Sequence, residues 1–110
     1  MVTFKTSSPN ALLAAIKAAI DKGHVTTWSY DSDGDFTHTP TQWAKKAWMR
    51  PTVVAGTQLD LAIIRVQGKT LEREVYAVYH GRFIEMMIAH FSADFTVVTG
   101  TPNPSGKDVV

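Results

Sequence analysis

Pro51-Thr-Val-Val-Ala-Gly-Thr-Gln-Leu-Asp-Leu-Ala-Ile-Ile-Arg-Val66 is the stretch whose reading decides the fold. Thr52, Val53 and Val54 favour an extended chain, Ala55-Gly56-Thr57 supplies a turn, and Leu59 to Val66 resumes the extended pattern. Leu59, Leu61 and Ile63 fall on one face of that second strand, with Ala62, Ile64 and Val66 on the other. Apolar residues on both faces predict a strand covered on both sides over much of its length, as a central strand of a sheet is. A hairpin with such a strand at its centre implies further strands around it.

Working outward, Val25 to Tyr30 is β-branched and aromatic, Asp33-Gly34 supplies a tight turn, and Asp35 to Thr39 resumes an extended pattern, which predicts a hairpin. Leu71 to Val78 reads as a strand with Glu72 and Glu74 on its wet face, and Phe95 to Thr99 as a final strand. Residues 41–47 fit a short helix, an irregular connection or a continuation of the strand, the first two being favoured. Two helices frame these strands. Ser8-Pro9-Asn10 followed by Leu12, Leu13, Ile16 and Ile20 predicts a helix over 9–22, with Ser8 as cap and Gly23 as terminator. From Tyr79 the period changes, and Ile84, Met87, Ile88 and Phe91 beside Phe83 and Met86 predict a second helix over 79–91. Helices separate from an antiparallel meander predict an α+β fold: one two-layer domain over residues 1–100, with about five strands and two main helices. Residues 101–110 lack an apolar pattern and read as a flexible C-terminal tail.

A chain of 110 residues suits one domain and needs neither metal nor disulfide to fold. With 11 basic and 10 acidic residues the net charge is +1, so attraction to nucleic acid or to an anionic membrane is not built into the whole chain. The absence of cysteine excludes disulfides and thiolate chemistry and fits a reducing compartment. The only Ala/Leu-rich run, Ala11 to Ile20, is interrupted by Lys17 and too short to span a bilayer. A cytoplasmic location without membrane contact is the expectation.

Candidate chemistry is sparse. Asp31-Ser-Asp-Gly-Asp35 resembles the opening of a calcium loop, but Phe36 and Gln42 stand where the glycine and the closing glutamate belong, so no metal site is expected. His24, His38, His80 and His90 have no metal-binding spacing, and no cofactor motif is present. His80, before Gly81 at the expected strand-to-helix junction, is the one candidate acid or base. Arg82, His38 and Arg50 complete an alternative reading as an enzyme on an anionic or phosphate-containing substrate.

All three tryptophans fall between Trp28 and Trp48, and no acid separates Asp35 from Asp60. Trp43, Lys45, Lys46, Trp48 and Arg50 interleave aromatics with bases, which suits a contact surface and, less well, single-stranded nucleic acid. The second helix has an apolar arc too wide for one sheet face, which makes Phe83, Met86 and Met87 further candidates for partner contact. The expectation is a small soluble interaction module without catalysis. It acts as binder, inhibitor or accessory subunit, with another protein or its own copy in a homodimer as partner.

Overall fold

A computed structural model describes residues 1–110. The chain forms β1 (Val2–Lys5), α1 (Pro9–Asp21), β2 (Trp28–Tyr30), β3 (Phe36–His38), β4 (Ala47–Val54), β5 (Gln58–Arg65), α2 (Arg73–Phe91) and β6 (Val97–Gly100). The six strands make one antiparallel sheet in the order β2-β3-β4-β5-β1-β6. The fold is α+β, with one strand more than the sequence suggested.

The quoted hairpin is its centre. β4 and β5 pair over eight positions, from Ala47 opposite Arg65 to Val54 opposite Gln58, and Gly56 at φ 69° turns the corner. β5 lies between β4 and β1, and every residue from Leu59 to Ile63 is buried. Register puts Val2 beside Leu61, Phe4 beside Leu59 and Met49 beside Ile63, so the apolar residues of three strands share one face. Leu12 and Ile16 of α1 and Val75, Tyr79, Phe83, Met86, Met87 and Phe91 of α2 pack on that face in one cluster. Each fully buried side chain of this size contributes roughly 1.5–3 kcal/mol, and Phe83 meets Trp28 edge-on at 4.9 Å and Phe36 at a tilt at 5.6 Å.

The opposite face is more polar. Asp60 is buried there because it accepts hydrogen bonds from Thr3 Oγ1 and Gln58 Nε2, both at 2.8 Å, with Lys107 Nζ at 3.8 Å.

Several expectations need correction. Residues 71–78 are not a strand: α2 begins at Arg73 and runs without a break through Phe91, so the expected start at 79 is six residues late. Alternation and helical period give similar patterns here, because Val75, Tyr76, Tyr79 and His80 are the inward positions of a helix. Packing against Phe4 and Trp28 decides the matter. β1 was not anticipated. Four residues are too few for a periodic signal, and their pairing with β5 and β6 lies far away in the chain. β4 begins at Ala47 and runs through Pro51, and residues 41–46 form turns rather than a short helix. Ser8 precedes α1, but its hydroxyl makes no capping bond.

Residues 101–110, expected to be a flexible tail, have defined partners. β1 begins at Val2, opposite Leu61, and Asp108 and Val109 occupy the flank of β5 beyond that pair. Val109 accepts from Arg65 N–H at 2.8 Å and donates to Ile63 O at 2.9 Å. Asp108 accepts from Ile63 N–H at 2.9 Å, from Ser105 N–H at 2.9 Å and from the Met1 ammonium at 2.6 Å.

Candidate functional site

The aromatic and basic segment is held from beneath. Trp43 and Ala44 both donate to Pro40 O, at 2.8 and 2.9 Å, which closes one tight turn. Tyr79, fully buried on α2, donates to Trp43 O and meets Thr37 Oγ1, which in turn accepts from Lys45 N–H and donates to Ala47 O. Lys45 then takes a left-handed conformation at φ 58°, the only residue other than glycine to do so. That reversal lets the chain leave the turn and enter β4.

Its consequence is the position of two lysines. Lys45 and Lys46 line a cavity of about 190 Å³ together with Lys69, Thr70, Leu71 and Val75. The cavity lies at the N-terminal end of α2, where Tyr76 N–H to Glu72 O is the first helical bond and no side chain caps the preceding N–H groups. Lys45, Lys46 and Lys69 take part in no ion pair. Glu72 also lines the cavity and offsets one of the three charges. Arg65 and Arg73 line adjoining depressions that share Thr70, so five of the eleven basic residues gather at this end. Lys69 and Arg65 were not expected here. The sequence separates them from Lys45 by about twenty residues, and only the β4–β5 hairpin returns the chain.

The other candidates divide among separate places. Trp48 lies half-buried on the polar sheet face opposite Ile64. Arg50 is next but one to it, and its guanidinium is committed to Asp35, with Nη2 to Oδ2 at 3.0 Å and Nε to both oxygens at 3.3 Å. That carboxylate raises the Arg50 pKa further. Phe83, Met86 and Met87 are buried in the core and offer no surface to a partner.

His80 is not at a helix start. It lies inside α2, buried, with Nδ1 at 2.9 Å from Tyr76 O, its ring stacked on Tyr76 at 4.0 Å, and a buried Nε2 without a partner. Burial, and next the Met1 ammonium, lowers its pKa to about 4 against the opposing pull of Asp108. An imidazole held neutral, with its Nε2 buried, is poorly placed for proton transfer to a substrate.

His38 and Arg82 do meet, with Glu85, Gln42 and Trp43, around a cleft of about 270 Å³. His38 Nδ1 is 2.6 Å from Thr27 O, and because a carbonyl only accepts, Nδ1 carries the proton and Nε2 keeps its lone pair. Desolvation lowers the His38 pKa, Thr27 O opposing it. Arg82 and Glu85 pair with each other at 3.3 Å on the cleft's rim. His80 and Arg50 lie in other parts of the fold, so the four residues of the enzymatic alternative do not converge.

The aspartates of the 31–35 loop serve the turn. Asp31 Oδ1 accepts from Asp33 and Asp35 N–H, both at 3.0 Å, and Gly34 takes φ 83°. No group of three or more His, Cys, Asp or Glu side chains comes together in a metal-binding arrangement. No helix is long and apolar enough to cross a membrane. No protein-family model, curated protein or solved structure matches the chain.

Proposed function

We propose that this protein is a non-catalytic interaction module that receives an acidic segment of a partner protein at its basic end. The observation that carries the reading is the convergence of Lys45, Lys46 and Lys69, from two separate segments and without ion-pair partners, on one cavity. Carboxylates there would find ammonium groups already close together and unpaired, and apolar walls in Leu71 and Val75 for the stem of a side chain. The exposed N–H groups at the start of α2 add partial positive charge in the same direction. Trp43 and Trp48 flank the two lysines in sequence and are half-buried, but neither lines the cavity. A net charge of +1 favours a short acidic segment over an extended polyanion, which is why a protein partner ranks above nucleic acid. The cytoplasmic setting expected from the cysteine-free sequence belongs to this proposal, and cell fractionation tests it.

The experiment is a titration with a pentaglutamate peptide, followed by amide chemical shifts. Changes should concentrate at Lys45, Lys46 and residues 69–75, and should fade with added salt. Lys45→Gln combined with Lys69→Gln should weaken binding roughly tenfold or more, and Glu72→Gln should strengthen it. Shifts elsewhere, or binding indifferent to these substitutions, would overturn the reading. A single-stranded oligonucleotide that bound the same site more tightly than the peptide would favour nucleic acid instead.

A further inference from the structure

Helix α2 has one flank that its own fold leaves open. Ala77, Gly81, Ile84 and Ile88 follow one another at steps of four, three and four residues, the spacing that draws side chains into one seam. Ala77 and Gly81 are exposed, Ile84 is half-buried, and Ile88 is 53% exposed. No charge interrupts the seam. Its side is fixed by Ile84, whose Cδ1 lies 3.6 Å from the position a β-carbon on Gly100 would take, so the seam runs above β6. Gly81 is not explained by the monomer. A β-carbon there would meet no atom within 4 Å, and glycine inside a helix is less favourable than alanine.

Beneath the seam, β6 is an edge strand paired only with β1. From Phe95 to Thr101 it has neither a charge nor a proline, the devices that normally blunt an edge, and Val97 is 52% exposed. The alternation of an antiparallel ladder leaves the N–H and C=O groups of Val98 and Gly100 facing away from β1. The opposite edge, β2, is only three residues long, and its Tyr30 is occupied by Asp21 at 2.6 Å and by Lys17 at 5.6 Å.

We infer that this side is a two-fold interface with a second copy of the chain, β6 pairing antiparallel with the partner's β6 while the α2 seams pack together above. A two-fold axis presents the same surface to itself, and a neutral seam opposes no like charges. Charge complementarity sets the orientation. Antiparallel α2 helices crossing near Gly81 and Ile84 bring Asp94, just past the helix end, toward the partner's Arg73. Antiparallel β6 strands centred on Val98 bring Asp94 toward residues 102–104 of the partner, and Asn103 is where Arg73 is held, at 2.8 Å. Both layers therefore give the same pairing. Neither Asp94 nor Arg73 has an ion pair within its own chain.

Sedimentation equilibrium of the full chain tests this. A reversible dimer is expected by about 100 μM, the range of a modest interface. Ile88→Lys and Val97→Lys should each weaken it about tenfold or more, equivalent to about 1.4 kcal/mol, with unchanged circular dichroism. Asp94→Arg should weaken it too, and adding Arg73→Asp should restore it. Lys45→Gln with Lys69→Gln should leave it intact, which separates this interface from the basic cavity. A chain that stays monomeric at that concentration, or a dimer indifferent to both lysine substitutions at Ile88 and Val97, would overturn the inference. A failed charge reversal would overturn the orientation.

Discussion

Replacing Met86 with glutamate asks whether α2 presents that residue to a partner or to the core. Met86 is 5% exposed and belongs to the main apolar cluster with Phe83 and the fully buried Met87. The substitution removes a buried thioether side chain, a loss of roughly 1.5–3 kcal/mol. It also places a carboxyl group among apolar neighbours, where burial raises a carboxyl pKa by about 3 units or more. At 1.36 kcal/mol per unit, ionisation at neutral pH then costs about 4 kcal/mol. The sum, about 6–7 kcal/mol, equals the whole stability of many domains this size. Met86→Glu should therefore be unfolded at pH 7, as read by far-ultraviolet circular dichroism and loss of a cooperative urea transition.

The sign of its pH dependence adds a second check. The new carboxyl binds its proton more tightly when folded than when unfolded, so the ionisation penalty grows as pH rises above the unfolded value near 4.3. Lowering pH from 7 to 5 should recover part of the lost stability. Ile88→Glu, two residues along the same helix but 53% exposed, should change the monomer's stability by less than about 0.5 kcal/mol. A folded Met86→Glu within about 1 kcal/mol of the parent would refute the packing argument.

Three further outcomes follow from the same contacts. His80 has a folded pKa near 4, below its unfolded value, so its contribution is complete above about pH 6.5 and is lost as pH falls toward 4. Urea midpoints from pH 7 to 4.5 should fall less steeply in His80→Phe than in the parent; equal slopes would show that His80 does not carry the effect. Asp108→Ala should cost about 2–4 kcal/mol by stranding Ile63 N–H and Ser105 N–H, and should speed amide exchange at Arg65; parental stability and exchange would mean the C-terminal segment is loosely held. Gly81→Ala should stabilise the Ile88→Lys monomer by about 1 kcal/mol, measured by thermal melting, and a destabilised product would mean that Gly81 is needed within the monomer.

The sequence by itself determined the α+β class, the first helix and the two hairpins. These elements rest on interactions between near neighbours: Pro9 at a helix start, Gly34 and Gly56 where a turn requires positive φ, and alternating apolar residues along Leu59 to Ile63. Only the tertiary structure decided where the second helix begins. Glu72 to Val78 satisfies both a two-residue and a helical period, and the choice depends on Phe4, Trp28 and Phe36 being in place to receive Tyr79 and Phe83. β1 and the pairing of Val109 with Ile64 were equally illegible, since each is a short segment whose partner lies over forty residues away. The candidate site divides in the same way. Lys45 and Lys46 stood out as neighbours in an acid-free stretch, whereas Lys69 joins them only because the β4–β5 hairpin folds back on itself. The side of α2 that faces solvent, Ala77, Gly81 and Ile88 rather than Met86, is fixed by which face the sheet covers, and no local pattern carries that information.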